Sequence, residues 1–282
     1  MKVVIAVDGS KYGRWATQWV GRMPFATPPH VTALHVVDVA SLKAPLTPHP
    51  VVVWNVRNIR AELRRMQAWA SKVTAETKTL MASLGLQGRV VSEKGAIAPA
   101  ILKHVAKRGG LVVLGHRGLD ALDRFMLGSI STKVTLHAPG SVLVVKQPPR
   151  PIRRILLATD GSKSSDRAVQ FLLKSMRADR GPLPTEVLVT HVMPFLRYPE
   201  IKESAEALLH GAADKLVKAG YRVKEVSAMG HPADEIIKVA QQQNADLLVT
   251  GAKGLGAVAR FFLGSVSTAL VQHSPCSVLV VR

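Results

Sequence analysis

Short, predominantly apolar runs rich in valine, isoleucine and leucine alternate along this chain with longer stretches whose apolar positions recur at helical spacing. A strand buried on both faces reads as a continuous apolar run, and strands separated by helices signal a parallel sheet covered on both sides. The pattern predicts five strands near 3–7, 31–37, 89–92, 111–114 and 142–145, and five more near 154–159, 186–192, 222–226, 246–250 and 277–281. Helices are expected in the intervals. Pro99 and Pro232 fall where the helix leading into the fourth strand of each set should begin, and proline is tolerated in a first helical turn.

The second set of elements copies the first. At an offset of 136, residues 124–145 and 260–281 agree at 14 of 22 positions, and the opening strand with its Asp8-Gly9-Ser10-Lys11 returns as a second apolar run ending in Asp160-Gly161-Ser162-Lys163. The chain is an internal duplication. Its 282 residues suffice for two domains, each with a core of its own. Between them, Gln147-Pro148-Pro149-Arg150-Pro151 holds three prolines, which lack N–H donors and force extended geometry on their predecessors. It reads as a short stiff linker, giving expected domains at 1–146 and 153–282 with a linker at 147–152. The expected fold is α/β: two tandem doubly wound domains, each a five-stranded parallel sheet of order 3-2-1-4-5 with helices on both faces. The main asymmetry is a proline-rich insertion in repeat 1, Ala40 to Val56, where repeat 2 passes quickly through Pro194 to Pro199. Both last strands are apolar (Val142 to Val145, Leu279 to Val281), and an unpaired apolar edge invites pairing, so the halves are expected to pack as a pseudo-dimer.

Chemistry concentrates in two glycine loops, Gly115-x2-Gly118-x9-Gly128-Ser129 and Gly251-x2-Gly254-x9-Gly264-Ser265. Each follows a fourth strand and leads into a helix. Glycines let a backbone approach a ligand closely, and the free N–H groups and positive dipole end of the following helix attract phosphate. In an open α/β sheet, ligands bind beyond the carboxyl ends of the strands where strand order reverses. Asp8 and Asp160, at the ends of the first strands, would share that crevice and serve a sugar or base. Taken alone, Asp-Gly-Ser also satisfies the plainer role of turn and helix N-cap.

These residues, with His35-Val36 and His191-Val192 in the second strands, resemble the universal stress protein domain, twice over nearly the whole chain. The resemblance implies the ATP-binding kind, because members that bind ATP carry this complete loop. Carried over, it implies nucleotide contacts at Asp8, Val36, Gly115, Gly118, Gly128, Ser129 and Ile130. In repeat 2 the implied contacts are Asp160, Val192, Gly251, Gly254, Gly264, Ser265 and Val266. The expected ligand is ATP or ADP, with Mg2+ as an accompanying ion, and the nucleotide would act mainly as a conformational ligand of a stress-response protein. Homo-oligomers are also expected.

Other chemistry finds little support. The G-x4-G-K-[ST] and G-x-S-x-G motifs are missing, so at most slow ATP hydrolysis is expected, as an alternative function. Asp120 and Asp123 in repeat 1, facing Gly256 and Ala259 in repeat 2, read as solvated loop carboxylates. His137 and His273 recur where the last helices should end, a place where histidine can meet free carbonyls. No zinc-type spacing appears. A single cysteine, Cys276, fits a reducing compartment, and no apolar run approaches the roughly 18 residues of a membrane span. A soluble, cytoplasmic protein is expected. The charge of +19 is uneven: residues 1–150 hold 21 Lys+Arg against 7 Asp+Glu, while 151–282 hold 17 against 12. Part of it lies in Arg57, Arg60, Arg64, Arg65 and Lys72 on a helix expected after the insertion, with Trp54 and Trp69 expected to pack inward. Such a stripe allows an acidic or nucleic-acid partner by charge attraction, but no nucleic-acid motif accompanies it.

Overall fold

The computed structural model describes residues 1–39, 56–106, 109–118, 127–179, 185–193, 199–253 and 263–282, with backbone alone at 56–59 and 199–202. The insertion from Ala40, with Trp54, and the stretch from Pro194 lie outside the described residues. In the first half, β1 (Lys2–Ala6), β2 (His30–Val37), β3 (Gly88–Lys94), β4 (Gly110–Gly115) and β5 (Ser141–Val145) alternate with α1 (Lys11–Arg22), α2 (Val56–Ser83), α3 (Ile97–His104) and α4 (Ser129–His137). The second half repeats this with β6 (Arg154–Ala158), β7 (Glu186–Met193), β8 (Arg222–Met229), β9 (Leu247–Gly251) and β10 (Ser277–Val281). Its helices are α5 (Lys163–Ser175), α6 (Pro199–Lys218), α7 (Pro232–Gln242) and α8 (Ser265–His273).

One ten-stranded sheet results, ordered β3-β2-β1-β4-β5-β10-β9-β6-β7-β8. Each half has the order 3-2-1-4-5, with parallel pairing throughout. The halves meet through β5 and β10, which run antiparallel with Leu279 opposite Leu143. Period-two alternation explains why these strands read as unbroken apolar runs: Leu111 and Val113 of β4 enter one core, Val112 and Leu114 the other. The first core takes Trp19 of α1, Val73 of α2, Leu172 of α5 and Leu216 of α6; the second takes Ile101 of α3, Val134 of α4, Val239 of α7 and Leu270 of α8.

The seam between the halves is nearly two-fold. The Lys146 backbone N–H donates to Ser277 Oγ, and that of Arg282 to Ser141 Oγ, both at 3.3 Å. The Lys146 ammonium donates to the Gln272 and Ser274 carbonyls at the end of α8, at 3.1 and 2.7 Å, while Arg282 donates to Thr135 and Leu136 at the end of α4, at 2.6 and 3.1 Å. The last carbonyls of each final helix are therefore capped from the other half, satisfying acceptors that a helix terminus leaves open. His137 and His273 stand in the last turns of these helices, their expected place. Both end their helices, but both are exposed.

The linker is pinned rather than loose. Trp19 Nε1 donates to the Gln147 carbonyl at 2.9 Å and Arg22 to that of Pro149 at 3.0 Å, while Arg150 pairs with Asp246. Asp246 also accepts the Arg153 and Arg154 backbone N–H groups at 2.8 and 2.9 Å, so this carboxylate ties the linker and β6 to the start of β9. Gly110 holds the matching place in repeat 1. There a Cβ would lie 2.4 Å from the Ala106 carbonyl oxygen, so a side chain could enter this place only if that backbone shifted.

Candidate functional site

At the carboxyl end of β1 the chain leaves the sheet through Asp8-Gly9-Ser10. Gly9 adopts φ +85° and Gly161 φ +74°, in the left-handed region that favours glycine. The Asp8 carboxylate accepts the Ser10 N–H at 2.9 Å and Asp160 accepts that of Ser162 at 3.0 Å, an Asx turn in each half. Ser10 and Ser162 then cap α1 and α5 by accepting from Gly13 and Ser165. Turn and cap are thus real, and both aspartates also line a cleft. Beside them His35 and His191 hydrogen-bond through Nδ1 to the Val7 and Thr159 carbonyls at 2.9 and 2.8 Å. These bonds fix the strand ends where Val36 and Val192 face the clefts.

At their described ends the glycine loops share three hydrogen bonds. His116 N donates to the Val145 carbonyl at 2.8 Å and Ala252 N to that of Val281 at 2.9 Å, hanging each loop on the last residue of a seam strand. Gly128 N donates to His116 O at 2.7 Å and Gly264 N to Ala252 O at 2.8 Å, closing each loop at its base. Ser131 and Ser267 hydroxyls donate at 2.7 Å to the Gly115 and Gly251 carbonyls. A Cβ on Gly115 would lie 2.4 Å from Tyr12 Cβ, and one on Gly251 2.5 Å from the Ser164 carbonyl carbon, so these two positions need glycine for close approach. Helices α4 and α8 then start at Ser129 and Ser265 behind Gly128 and Gly264, with no side-chain cap on either N-terminus. An uncapped helix start with its N–H groups facing a cleft is suited to holding an anion.

Two clefts collect these parts. The repeat-1 cleft, about 960 Å³, brings together Asp8, Val36, Gly115, Gly118, Gly128, Ser129 and Ile130. The repeat-2 cleft, about 500 Å³, brings together Asp160, Val192, Gly251, Gly264, Ser265 and Val266. Gly254 lies outside the described residues, as do Asp120, Asp123, Gly256 and Ala259. Apolar walls come from Ile97 and Ile101 in the first cleft and from Ile236 in the second, with a cation beside each loop, Arg117 or Lys253. Desolvation lowers the pKa of His116 to about 4, so the ring next to the repeat-1 loop is neutral at physiological pH. Among the described residues no cluster of histidine, cysteine, aspartate or glutamate is arranged to hold a metal ion.

Sequence reading missed the wall contributed by α2. Glu62, Arg65, Met66 and Trp69 line the repeat-1 cleft, and Trp69 Nε1 donates to the Asp8 carbonyl at 3.2 Å. Trp69 is 39% exposed, which corrects the expectation that it packs inward. The available signal was its place in a basic stripe, one tryptophan amid Arg64, Arg65 and Lys72.

Comparison with known proteins agrees with this architecture. A universal stress protein of Mycobacterium tuberculosis is 27% identical over 313 aligned residues, covering 99% of this chain and 94% of the relative. One of Mycolicibacterium smegmatis is 29% identical over 293, covering 99% and 96%. The crystal structure of a universal stress protein from Archaeoglobus fulgidus superposes with a TM-score of 0.72 at 20% identity, covering 100% of this chain and 98% of that one, a likeness of fold. No described helix is long and apolar enough to cross a membrane. The sequence profile of the universal stress protein family matches residues 1–146 and again 151–282, and the chain belongs to that family as two domains in tandem.

Proposed function

We propose that the protein binds an adenine nucleotide, ATP with Mg2+ as the expected form, in each of its two clefts, and that the nucleotide acts as a conformational ligand in a stress response. The observation that carries this reading is the doubled loop: in both halves a glycine backbone closed by the same hydrogen bonds presents an uncapped helix N-terminus to a cleft. Phosphates would sit at Gly118, Gly128 and Ser129, and at Gly264 and Ser265. The base would rest against Val36 and Ile130 or Val192 and Val266, with Asp8 or Asp160 toward the sugar. Gly115 and Gly251 let the loop approach the first helix of each half, and Gly254 completes the repeat-2 loop by its sequence position.

On this reading the domains are 1–146 and 153–282 joined by 147–152, working as a pseudo-dimer in the cytoplasm. Calorimetry on the intact protein should approach two ATP per chain, and denaturing the purified protein should release bound nucleotide. One site per chain would restrict the reading to a single half. No binding of ATP or ADP would overturn it.

A further inference from the structure

The repeat-1 cleft exceeds the repeat-2 cleft by nearly the volume of the latter, about 960 against about 500 Å³, and α2 lines it through Glu62, Arg65, Met66 and Trp69. Helix α2 spans 28 residues and α6 spans 20. Both helices are followed by a positive-φ glycine, Gly85 or Gly220. Aligned through those glycines, Trp69 falls at the register of Ser204 and Val73 at that of Leu208. The packing agrees, since a Cβ on Gly9 would meet Val73 and one on Gly161 would meet Leu208. Repeat 2 therefore has a small hydroxyl where repeat 1 has an indole.

That indole is held by its edge. Its Nε1 donates to the Asp8 carbonyl, its Cζ2 and Cε2 lie 2.6 and 3.2 Å from where a Gly9 Cβ would stand, and Lys72 Nζ lies 5.6 Å from its ring centroid. With its polar edge satisfied and its ring partly open, Trp69 offers a fixed aromatic surface with the Lys72 ammonium over it, in a cleft that Met66 and Arg65 also line. A rigid, partly exposed ring is a platform for another planar ring, and neighbouring cations favour a phosphate-bearing one.

We propose that the repeat-1 cleft contains a second subsite, made by Trp69, Met66 and Arg65, whose ligand class is a dinucleotide: two bases joined through phosphates, one base against Val36 and the other on Trp69. The proposal rests on the nucleotide reading of the cleft. The repeat-2 cleft, with about half the volume and Ser204 at the register of Trp69, takes mononucleotides.

The test is calorimetry of the full-length protein with ATP and with diadenosine tetraphosphate, for the wild type, Trp69→Ser and Trp69→Phe. Diadenosine tetraphosphate should bind one tight site per chain, roughly tenfold or more tighter than ATP, the scale of stacking one base on an aromatic side chain. Trp69→Ser should lower the ratio of the two affinities about tenfold, whereas Trp69→Phe, which retains a ring, should keep most of it. Two equal dinucleotide sites per chain, affinity no better than that of ATP, or an unchanged ratio in Trp69→Ser would overturn the subsite while leaving the ATP sites standing. Failure of ATP itself to bind would remove the nucleotide reading and this proposal with it.

Discussion

The loops after β4 and β9 are closed by the same bonds, Gly128 N to His116 O and Gly264 N to Ala252 O, yet Tyr12 and His116 stand at the first where Ser164 and Ala252 stand at the second, and Trp69 lines the first cleft at the register that Ser204 holds in repeat 2. The closure that persisted at these loops is carried by the backbone, and what diverged around it is carried by side chains. A backbone N–H is present whatever residue bears it, so a cradle made of amides survives changes around it provided its glycines remain. The walls are under no such constraint. In repeat 1 Tyr12 meets His116 edge-on at 4.6 Å and Trp15 at 5.1 Å, while in repeat 2 Ser164 Oγ accepts the Lys253 backbone N–H at 3.1 Å.

The harshest way to break this comparison is to strike the shared part. Gly115→Val and Gly251→Val each drive a side chain into atoms of the first helix, and each should cost roughly 2–4 kcal/mol in denaturant unfolding. Each should abolish nucleotide binding in its own half only. Retention of two wild-type sites by either folded variant would show that the loops are not the common element. At the seam, where the halves are alike in geometry but not in residue, Lys146→Met and Arg282→Met each uncap the final carbonyls of a helix. A loss of about 1–2 kcal/mol apiece is expected in thermal or chemical unfolding, and no loss would show those carbonyls to be equally well satisfied by water.

Finer changes sharpen the comparison. Ser129→Ala and Ser265→Ala leave every loop amide in place, so each should weaken ATP by only about 0.5–1.5 kcal/mol, up to roughly tenfold in calorimetry. A total loss in either would assign the phosphate to the hydroxyl instead of the backbone. The smallest effect is one of pH. Because desolvation lowers the pKa of folded His116 to about 4 from 6.5, the unfolded chain binds the extra proton first as pH falls. Its stabilising contribution is complete above about pH 6.5 and is lost down to about pH 4. The ring is partly exposed, so the loss should not exceed about 1 kcal/mol, and His116→Ala, the residue repeat 2 carries, should flatten the stability profile between those limits. An unchanged profile would place the acid sensitivity elsewhere.

Much of this arrangement could be read before any coordinates, and the reason is periodicity. Apolar runs such as Leu111 to Leu114 face two cores at once, so their positions locate the inner strands to within a residue or two, whereas the edge strand β8 runs three residues past its expected end. The spacing of Gly115, Gly118 and Gly128 locates the cradle because the three bracket the passage from β4 to α4. Long-range side-chain contacts leave no such trace. Nothing near Trp69 in the sequence announces a bond to Asp8, 61 residues away, and helical spacing alone cannot separate an inward indole from one lining a cleft. Likewise the histidines at 137 and 273 matched a local rule for helix ends, but the capping groups arrive from Lys146 and Arg282, at separations of 126 to 147 residues.

Had β5 and β10 belonged to two identical chains, their contact would have been isologous, and every change at the seam would have appeared on both sides at once. A covalent tandem escapes that symmetry. Lys146 faces the role that Arg282 fills opposite it, and Gly140 stands where the other copy has buried Cys276. Each half can drift alone while the junction holds, so fusion turned one self-complementary surface into two separately heritable ones, and a chain rebuilt from two copies of either repeat would carry the same residues on both sides of its seam.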